Sequence, residues 1–153
     1  MPEADFKMQV RSEVYRQFIE KGSCPTRAEI AQSLRRPLPD VTGAFTELAD
    51  AHMLVLQPGG EVLMANPLSA VSTPFVVQTQ YGQDSKSWYG NCIWDALGII
   101  SMLQTNGRVL TSCGCCGERM SVLVAGKRAS PTPDGVVHFA IPAKHWWDDI
   151  VFN

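Results

Sequence analysis

The stretch WYGNCIWDALGII, residues 88–100, decides how the second half of the chain is built. Its apolar spacing predicts a helix, and residues three apart are neighbours on a helix surface. We therefore expect Cys92 and Asp95 to share one face of that helix. After this helix, Gly126 and residues 131–135 are expected to interrupt the strand-like runs of the chain. Strand-like runs lie at residues 108–111, 120–124 and 136–141. This order predicts an α+β fold with a mainly antiparallel sheet and one helix carrying a C-x-x-D motif.

The first 66 residues show helical spacing followed by a hairpin signal. Apolar residues recur at every fourth position from Phe6 to Phe18, which predicts a first helix. Thr26 and Glu29 have the spacing of a capping box, so a second helix begins there and ends at Pro37. A third helical pattern follows. Two short β-like runs come next, at residues 54–57 and 61–64, joined by Pro-Gly-Gly. Three helices and a hairpin predict a winged-helix-like lobe.

The charge pattern disfavours nucleic-acid binding by this lobe. Its third helix would be the reader of a DNA groove, but it carries Asp40, Glu47 and Asp50 and no Lys or Arg. The whole chain has a net charge of −2, whereas nucleic-acid binders usually carry a basic surplus. We expect a structural winged-helix lobe.

The chain is expected to consist of two lobes and a connector. Residues 1–66 form the winged-helix-like lobe, residues 67–87 the connector, and residues 88–153 the lobe that carries the chemistry. Asn66-Pro67 and Thr73-Pro74 are the turn signals of the connector. The apolar runs are too short to span a bilayer, and the acidic start does not resemble a secretory leader. These features predict a cytoplasmic protein.

Cys92 and Asp95 are the residues best suited to chemistry. A thiolate is a soft ligand for thiophilic ions, and a carboxyl beside it can hold or deliver a proton. Burial and a neighbouring negative charge would both raise the pKa of that carboxyl. The spacing alone is weak, because a buried cysteine beside an acidic residue in the first turn of a helix has the same pattern.

Several separate motifs resemble the organomercurial lyase (alkylmercury lyase) family. They extend over nearly the whole chain, from the N-terminal lobe to the last residues. The quoted segments are Ala65–Val71, Asn91–Gly98, Ser112-Cys113 with Gly117-Glu118, and His145–Phe152.

The resemblance implies protonolysis of a carbon–mercury bond. Cys92 would be the first thiolate that binds mercury, and Asp95 would carry the proton that ends on carbon. The products would be a hydrocarbon and Hg(II), which leaves on cellular thiols, with a mercuric reductase as a downstream partner. No organic cofactor is implied.

The family has a second catalytic cysteine just after the segment that resembles Trp146–Phe152. This sequence ends at Asn153, so the matching residue is not in it. Three explanations stay open: the sequence is cut at that point, a local cysteine substitutes, or the protein binds organomercury without cleaving it efficiently.

Three further cysteines, Cys113, Cys115 and Cys116, lie within four positions. The C-x-x-C between Cys113 and Cys116 can clamp one soft ion across a tight turn. A structural role, metal capture and catalysis all remain open for this cluster. A non-catalytic soft-metal binding protein, or a winged-helix metal sensor, is therefore the alternative to the lyase.

The aromatic residues of the second lobe would suit a pocket for an alkyl or aryl group, although ordinary core packing is the competing interpretation for at least half of them. The predicted pocket residues are Trp88, Trp94, Trp146 and Trp147.

Overall fold

The computed structural model describes residues 3–81 and 84–151, and side chains at residues 6–79 and 85–151. Three helices come first and a fourth lies in the second half. The helices are α1 (Glu3–Lys21), α2 (Arg27–Leu34), α3 (Leu38–Asp50) and α4 (Ile93–Met102). The strands are β1 (Val55–Leu56), β2 (Val62–Ala65), β3 (Leu68–Ser69), β4 (Val76–Tyr81), β5 (Asp84–Gly90), β6 (Gly107–Ser112), β7 (Arg119–Ala125) and β8 (Arg128–Thr132). A 3-10 turn spans Ala143–Asp148. Within the described ranges, no helix is both long and apolar enough to cross a membrane.

The N-terminal helices lie where the sequence predicts them. The Thr26 side chain accepts a hydrogen bond from the backbone N–H of Glu29 at 3.2 Å, and the Glu29 carboxylate accepts one from the backbone N–H of Thr26 at 2.7 Å. This confirms the predicted capping box. Helix α2 ends where Arg35 turns left-handed, two residues before Pro37. The apolar stripes of α1 and α3 are fully buried against each other and the sheet, through Val10, Val14, Phe18, Val41, Phe45 and Leu48.

All eight strands belong to one antiparallel sheet, in the order β1-β2-β3-β5-β4-β6-β7-β8. The predicted hairpin is confirmed, because β1 pairs antiparallel with β2. Strand β3 then joins that hairpin to β5, so the sheet passes through the predicted connector into the second lobe. The mixed α and antiparallel-β class is thus confirmed. The winged-helix interpretation and the domain boundaries remain predictions.

The helix predicted over residues 88–100 is shorter than expected. Residues 88–90 belong to β5, and α4 begins only at Ile93. The reason is a close approach at Gly90, where an added Cβ would lie 2.6 Å from the backbone nitrogen of Ala96. Only a glycine fits where the end of β5 approaches α4 this closely. The last residues of the predicted connector, 84–87, also belong to β5; residues 82 and 83 lie outside the described ranges.

The strand predicted at residues 136–141 is wrong, because this segment has no regular structure and Val136, Val137 and Phe139 are exposed. Val136, for example, is 93% exposed. The last strand is instead β8, which pairs with β7. Gly126 and Lys127, both with positive φ, form the two-residue turn between them. Such turns match the twist of a hairpin.

Candidate functional site

Cys92 lies where β5 gives way to α4. It occupies the N-cap position with an extended backbone, so it stands just outside the helix. Its sulfur accepts a hydrogen bond from the backbone N–H of Asp95 at 3.5 Å. The prediction placed both residues on one helical face; the structure instead brings them together through this capping contact. The sulfur also faces the partial positive charge of the helix N-terminus, which favours a thiolate.

The Asp95 carboxylate is held by a neighbouring amide. The Nδ2 of Asn91 donates to Asp95 Oδ2 at 3.0 Å and to Asn66 Oδ1 at 2.9 Å. Both N–H groups of one amide are therefore used. The Oδ1 of Asn91 is buried and has no hydrogen-bond partner among the described residues. The Asn91 amide therefore holds the Asp95 carboxyl group in place at the start of α4, with Oδ2 as the hydrogen-bond acceptor.

Burial governs the protonation of both residues. It raises the pKa of the Cys92 thiol, while the backbone N–H of Asp95 lowers that pKa. It also raises the pKa of the Asp95 carboxyl, while the Asn91 amide lowers that pKa. A half-buried carboxyl with a raised pKa is suited to hold a proton and release it to a bound group.

Helix α1 contributes a tyrosine to the same region. The hydroxyl of Tyr15 donates to the backbone carbonyl of Asn66 at 2.7 Å, and the Arg11 guanidinium lies 5.0 Å from the centre of the Tyr15 ring. Burial raises the pKa of Tyr15, and the charge of Asp95 raises it further. The sequence predicts no role for Tyr15, Asn66 or Asn91. The sequence feature that points to them is a pair of asparagines, one directly before Cys92 and one directly before a proline.

The three other second-lobe cysteines share the turn between β6 and β7. Cys113 is half-buried, whereas Cys115 and Cys116 are exposed, and all three are free thiols. Hydrogen bonds from the backbone N–H groups of Cys116 and Cys115, and from the Cys116 thiol, lower the pKa of Cys113. Within the described ranges, no three His, Cys, Asp or Glu residues form a cluster that could hold a metal ion.

Cys24 lies apart from these thiols. It is half-buried against the hydrophobic core, and burial raises its pKa to about 12. This placement suits a packing role.

An apolar cavity of about 940 Å³ lies between α4, the sheet and the segment that follows β8. Ile93 and Leu97 of α4 line one wall, and Cys113 and Cys115 lie on another. Ile93 directly follows Cys92 in the chain, but neither Cys92 nor Asp95 is among the residues that line the cavity. The described lining contains none of the four tryptophans named from the sequence.

The four tryptophans have different surroundings. Trp88 is 1% exposed and its Nε1 donates to the backbone carbonyl of Phe18, so it is a core residue. Trp94 is 57% exposed and meets the ring of Phe139 edge-on, with ring centres 5.9 Å apart. Phe139 in turn lies 5.6 Å from Trp146.

Trp147 stacks on His52 with ring centres 4.1 Å apart. The last described segment thus contacts α4 through Trp146 and Phe139, and the turn after α3 through Trp147. The tryptophans' role in a substrate pocket remains a prediction.

Comparison with known proteins shows the family of this chain. No curated protein sequence matches the chain. A solved structure, the crystal structure of the mercury-bound form of MerB2, is 19% identical, with a TM-score of 0.59. The alignment covers 86% of this chain and 68% of that one, and at this identity the likeness shows the fold alone. The MerB family model, described as alkylmercury lyase, matches residues 68–152, which is more than half of the chain. The chain therefore belongs to the alkylmercury lyase family.

Proposed function

We propose that this protein cleaves the carbon–mercury bond of organomercurials by protonolysis and releases a hydrocarbon and Hg(II). The observation that carries the proposal is the single turn that holds the Cys92 sulfur and the Asp95 carboxyl together. One group is a soft ligand for mercury and the other is a proton donor. Family membership supports the same reaction class.

Cys92 takes the mercury in the first step. The substrate arrives as a thiol adduct, R–Hg–SR′, and exchanges with the Cys92 thiol to give R–Hg–S–Cys92 and R′SH. The thiol proton leaves on the released thiol, so the exchange is balanced. The backbone N–H groups at the start of α4 offset part of the effect of burial on the Cys92 thiol, whose thiolate attacks mercury.

Asp95 supplies the proton in the second step. A low-molecular-weight thiolate binds mercury as its second ligand, which increases the electron density on the attached carbon. The Asp95 O–H proton then transfers to that carbon, and the electron pair of the carbon–mercury bond becomes the new C–H bond. Mercury keeps two thiolates, and the Asn91 N–H stabilises the carboxylate that remains.

The product leaves by a second exchange. A cellular thiol displaces Cys92 from mercury, which gives Hg(SR′)₂ and restores the Cys92 thiol. Asp95 regains its proton from the solvent. A reductase that accepts Hg(II) bound to thiols would be the next protein in such a sequence, and we place both in the cytoplasm.

The apolar cavity beside Ile93 is suited to the organic group. Its walls at Ile93, Leu97 and Phe75 carry no charge, so an alkyl or aryl group loses contact with water there. The exposed ring of Trp94 is a second apolar surface on the same helix.

The test is hydrocarbon release from phenylmercury in excess thiol, measured as benzene by gas chromatography. The wild type should release benzene above the rate of thiol alone. Cys92→Ser should abolish release, and Asp95→Ala should lower it by at least about a hundredfold, the scale of a lost general acid. Cys24→Ala is the matched control, because Cys24 packs against the hydrophobic core and its thiol donates to the carbonyl of Pro25. Benzene release by the wild type that is no faster than release by thiol alone would overturn the proposal.

A further inference from the structure

The cysteine turn, residues 113–117 between β6 and β7, has no part in the chemistry proposed for Cys92. We propose that Cys113 and Cys116 form a second site, made of two thiolates, that binds inorganic Hg(II). Two-coordinate thiophilic cations are the class of ligand that such a pair accepts.

The backbone of the turn holds the two thiols together. The N–H of Gly117 donates to the carbonyl of Cys113, and the N–H of Cys113 donates to the carbonyl of Glu118, each at 2.8 Å. Gly117 has φ +74, a conformation that L side chains rarely adopt, so it closes the turn. The C-x-x-C spacing across this turn lets both sulfurs reach one ion. Little further ordering is needed when an ion binds both sulfurs.

The pair of thiols is accessible and suits a two-coordinate ion. Cys116 is exposed, so an ion reaches the pair without opening the fold. A tetrahedral zinc site needs four ligands, whereas Hg(II) is satisfied by two thiolates in a line. The pair therefore suits Hg(II) better than zinc.

Binding is a balanced thiol exchange. Hg(SR′)₂ and the two cysteine thiols give Cys113–S–Hg–S–Cys116 and two R′SH. No oxidant or reductant takes part, since mercury stays Hg(II) and each cysteine proton leaves on a released thiol.

The turn is well placed to receive mercury from Cys92, a role that rests on the proposed function. Cys113 lines the same cavity as Ile93, the neighbour of Cys92. Hg(II) released at the start of α4 would meet the cysteine turn in the same cavity. Binding of inorganic Hg(II) itself requires no cleavage, so it is tested separately.

The experiment uses the full chain carrying Cys92→Ser, which removes the thiol on which the proposed cleavage depends. Mercuric chloride is added in the presence of excess glutathione as a competing monothiol. Native mass spectrometry then counts the mercury retained per chain, and a thiol reagent counts the cysteines lost. We expect one Hg(II) per chain and two thiols lost.

Two double variants locate the site. Cys92→Ser with Cys116→Ser should hold Hg(II) at least about tenfold more weakly against glutathione, because only one thiolate remains to compete. Cys92→Ser with Cys115→Ser is the matched control from the same turn and should retain it. Both substitutions are at exposed positions, and circular dichroism checks the fold.

The outcomes separate this site from the lyase proposal. No retention by Cys92→Ser, unchanged retention after Cys116→Ser, or loss after Cys115→Ser would each overturn the two-thiolate site. None of these measurements depends on hydrocarbon release. Benzene release by the wild type tests only the chemistry of Cys92 and Asp95.

Discussion

The Nδ2 atom of Asn91 lies 3.0 Å from Oδ2 of Asp95 and donates a hydrogen bond to it. The same nitrogen donates to Asn66, whose backbone carbonyl accepts from Tyr15. The carboxyl at the start of α4 is thereby connected to the long first helix. Orientation of the proposed proton donor thus depends on three segments that are distant in the sequence.

Asn91→Ala should slow hydrocarbon release without removing mercury binding. The substitution deletes both N–H donors, so the Asp95 carboxyl loses the contact that orients it. We expect kcat to fall roughly ten- to a hundredfold, the usual scale for a partner that orients a reacting group. Steady-state benzene release gives kcat, and mass spectrometry of the phenylmercury adduct reports binding to Cys92.

Tyr15→Phe is the control for that variant. It removes only the hydrogen bond to the Asn66 carbonyl, one step further from Asp95, so its effect on kcat should be smaller. An Asn91→Ala protein that keeps the wild-type kcat would show that the amide does not orient Asp95.

Asp95→Asn should raise the free energy of unfolding relative to the wild type, and it should do so more at neutral pH than at acid pH. Burial raises the pKa of Asp95 above its ordinary value of 3.8, so the folded chain binds this proton more tightly than the unfolded chain. Wild-type stability therefore falls as pH rises from the unfolded pKa through the folded pKa. The asparagine side chain does not titrate, so the stability of the variant does not fall in this way. The difference in free energy of unfolding between the variant and the wild type should therefore grow as pH rises through that window and then level off.

Urea unfolding at a series of pH values measures this difference. A free-energy difference between wild type and Asp95→Asn that stays constant across the series would contradict the prediction.

Gly90→Ala should destabilise the junction that carries the site. The added Cβ would lie 2.6 Å from the backbone nitrogen of Ala96 and 2.7 Å from its Cα, and neither backbone atom can move without shifting α4. We expect a loss of about 2 kcal/mol or more in the free energy of unfolding.

Gly43→Ala is the matched substitution in helix α3. Nothing lies within 4 Å of the added Cβ, so this variant should gain up to about 1 kcal/mol from helix propensity. Thermal unfolding of the two variants gives the comparison. Equal stability of Gly90→Ala and wild type would mean that the close approach is not required.

Glu13→Gln should weaken the contact between α1 and α2 at neutral pH only. Glu13 accepts hydrogen bonds from Arg16, Gln17 and Ser33. The hydrogen bonds from Arg16 contribute most and hold the pKa of Glu13 at about 2, below its ordinary value of 4.5. Its stabilisation is therefore fully present above pH 4.5 and is lost as pH falls towards 2.

We expect Glu13→Gln to cost about 1–2 kcal/mol at neutral pH, since the contact is partly exposed to solvent. The cost should shrink as pH falls from 4.5 towards about 2, because the unfolded chain takes up this proton before the folded chain does. Chemical unfolding over that range measures the trend. A cost that is the same at both ends would argue against the charged contact.

The sequence by itself determined the features that depend on near neighbours. The capping box of Thr26 and Glu29, the hairpin around residues 58–60 and the helical stripe of α1 all follow from hydrogen bonds and periodicity within a few residues. The short motifs around residues 91–98 identified the family for the same reason, since they lie together in the chain.

Only the tertiary structure decided the rest. Tyr15 and Asn91 reach Asn66 across 51 and 25 residues, and no local pattern encodes such contacts. The close approach of Gly90 to Ala96 set where the strand ends and α4 begins. β8 formed instead of the apolar run at residues 136–141, because pairing with β7 was available after a two-residue turn. Local preference is worth little beside the hydrogen bonds and burial that packing supplies, so packing determined the surroundings of Asp95.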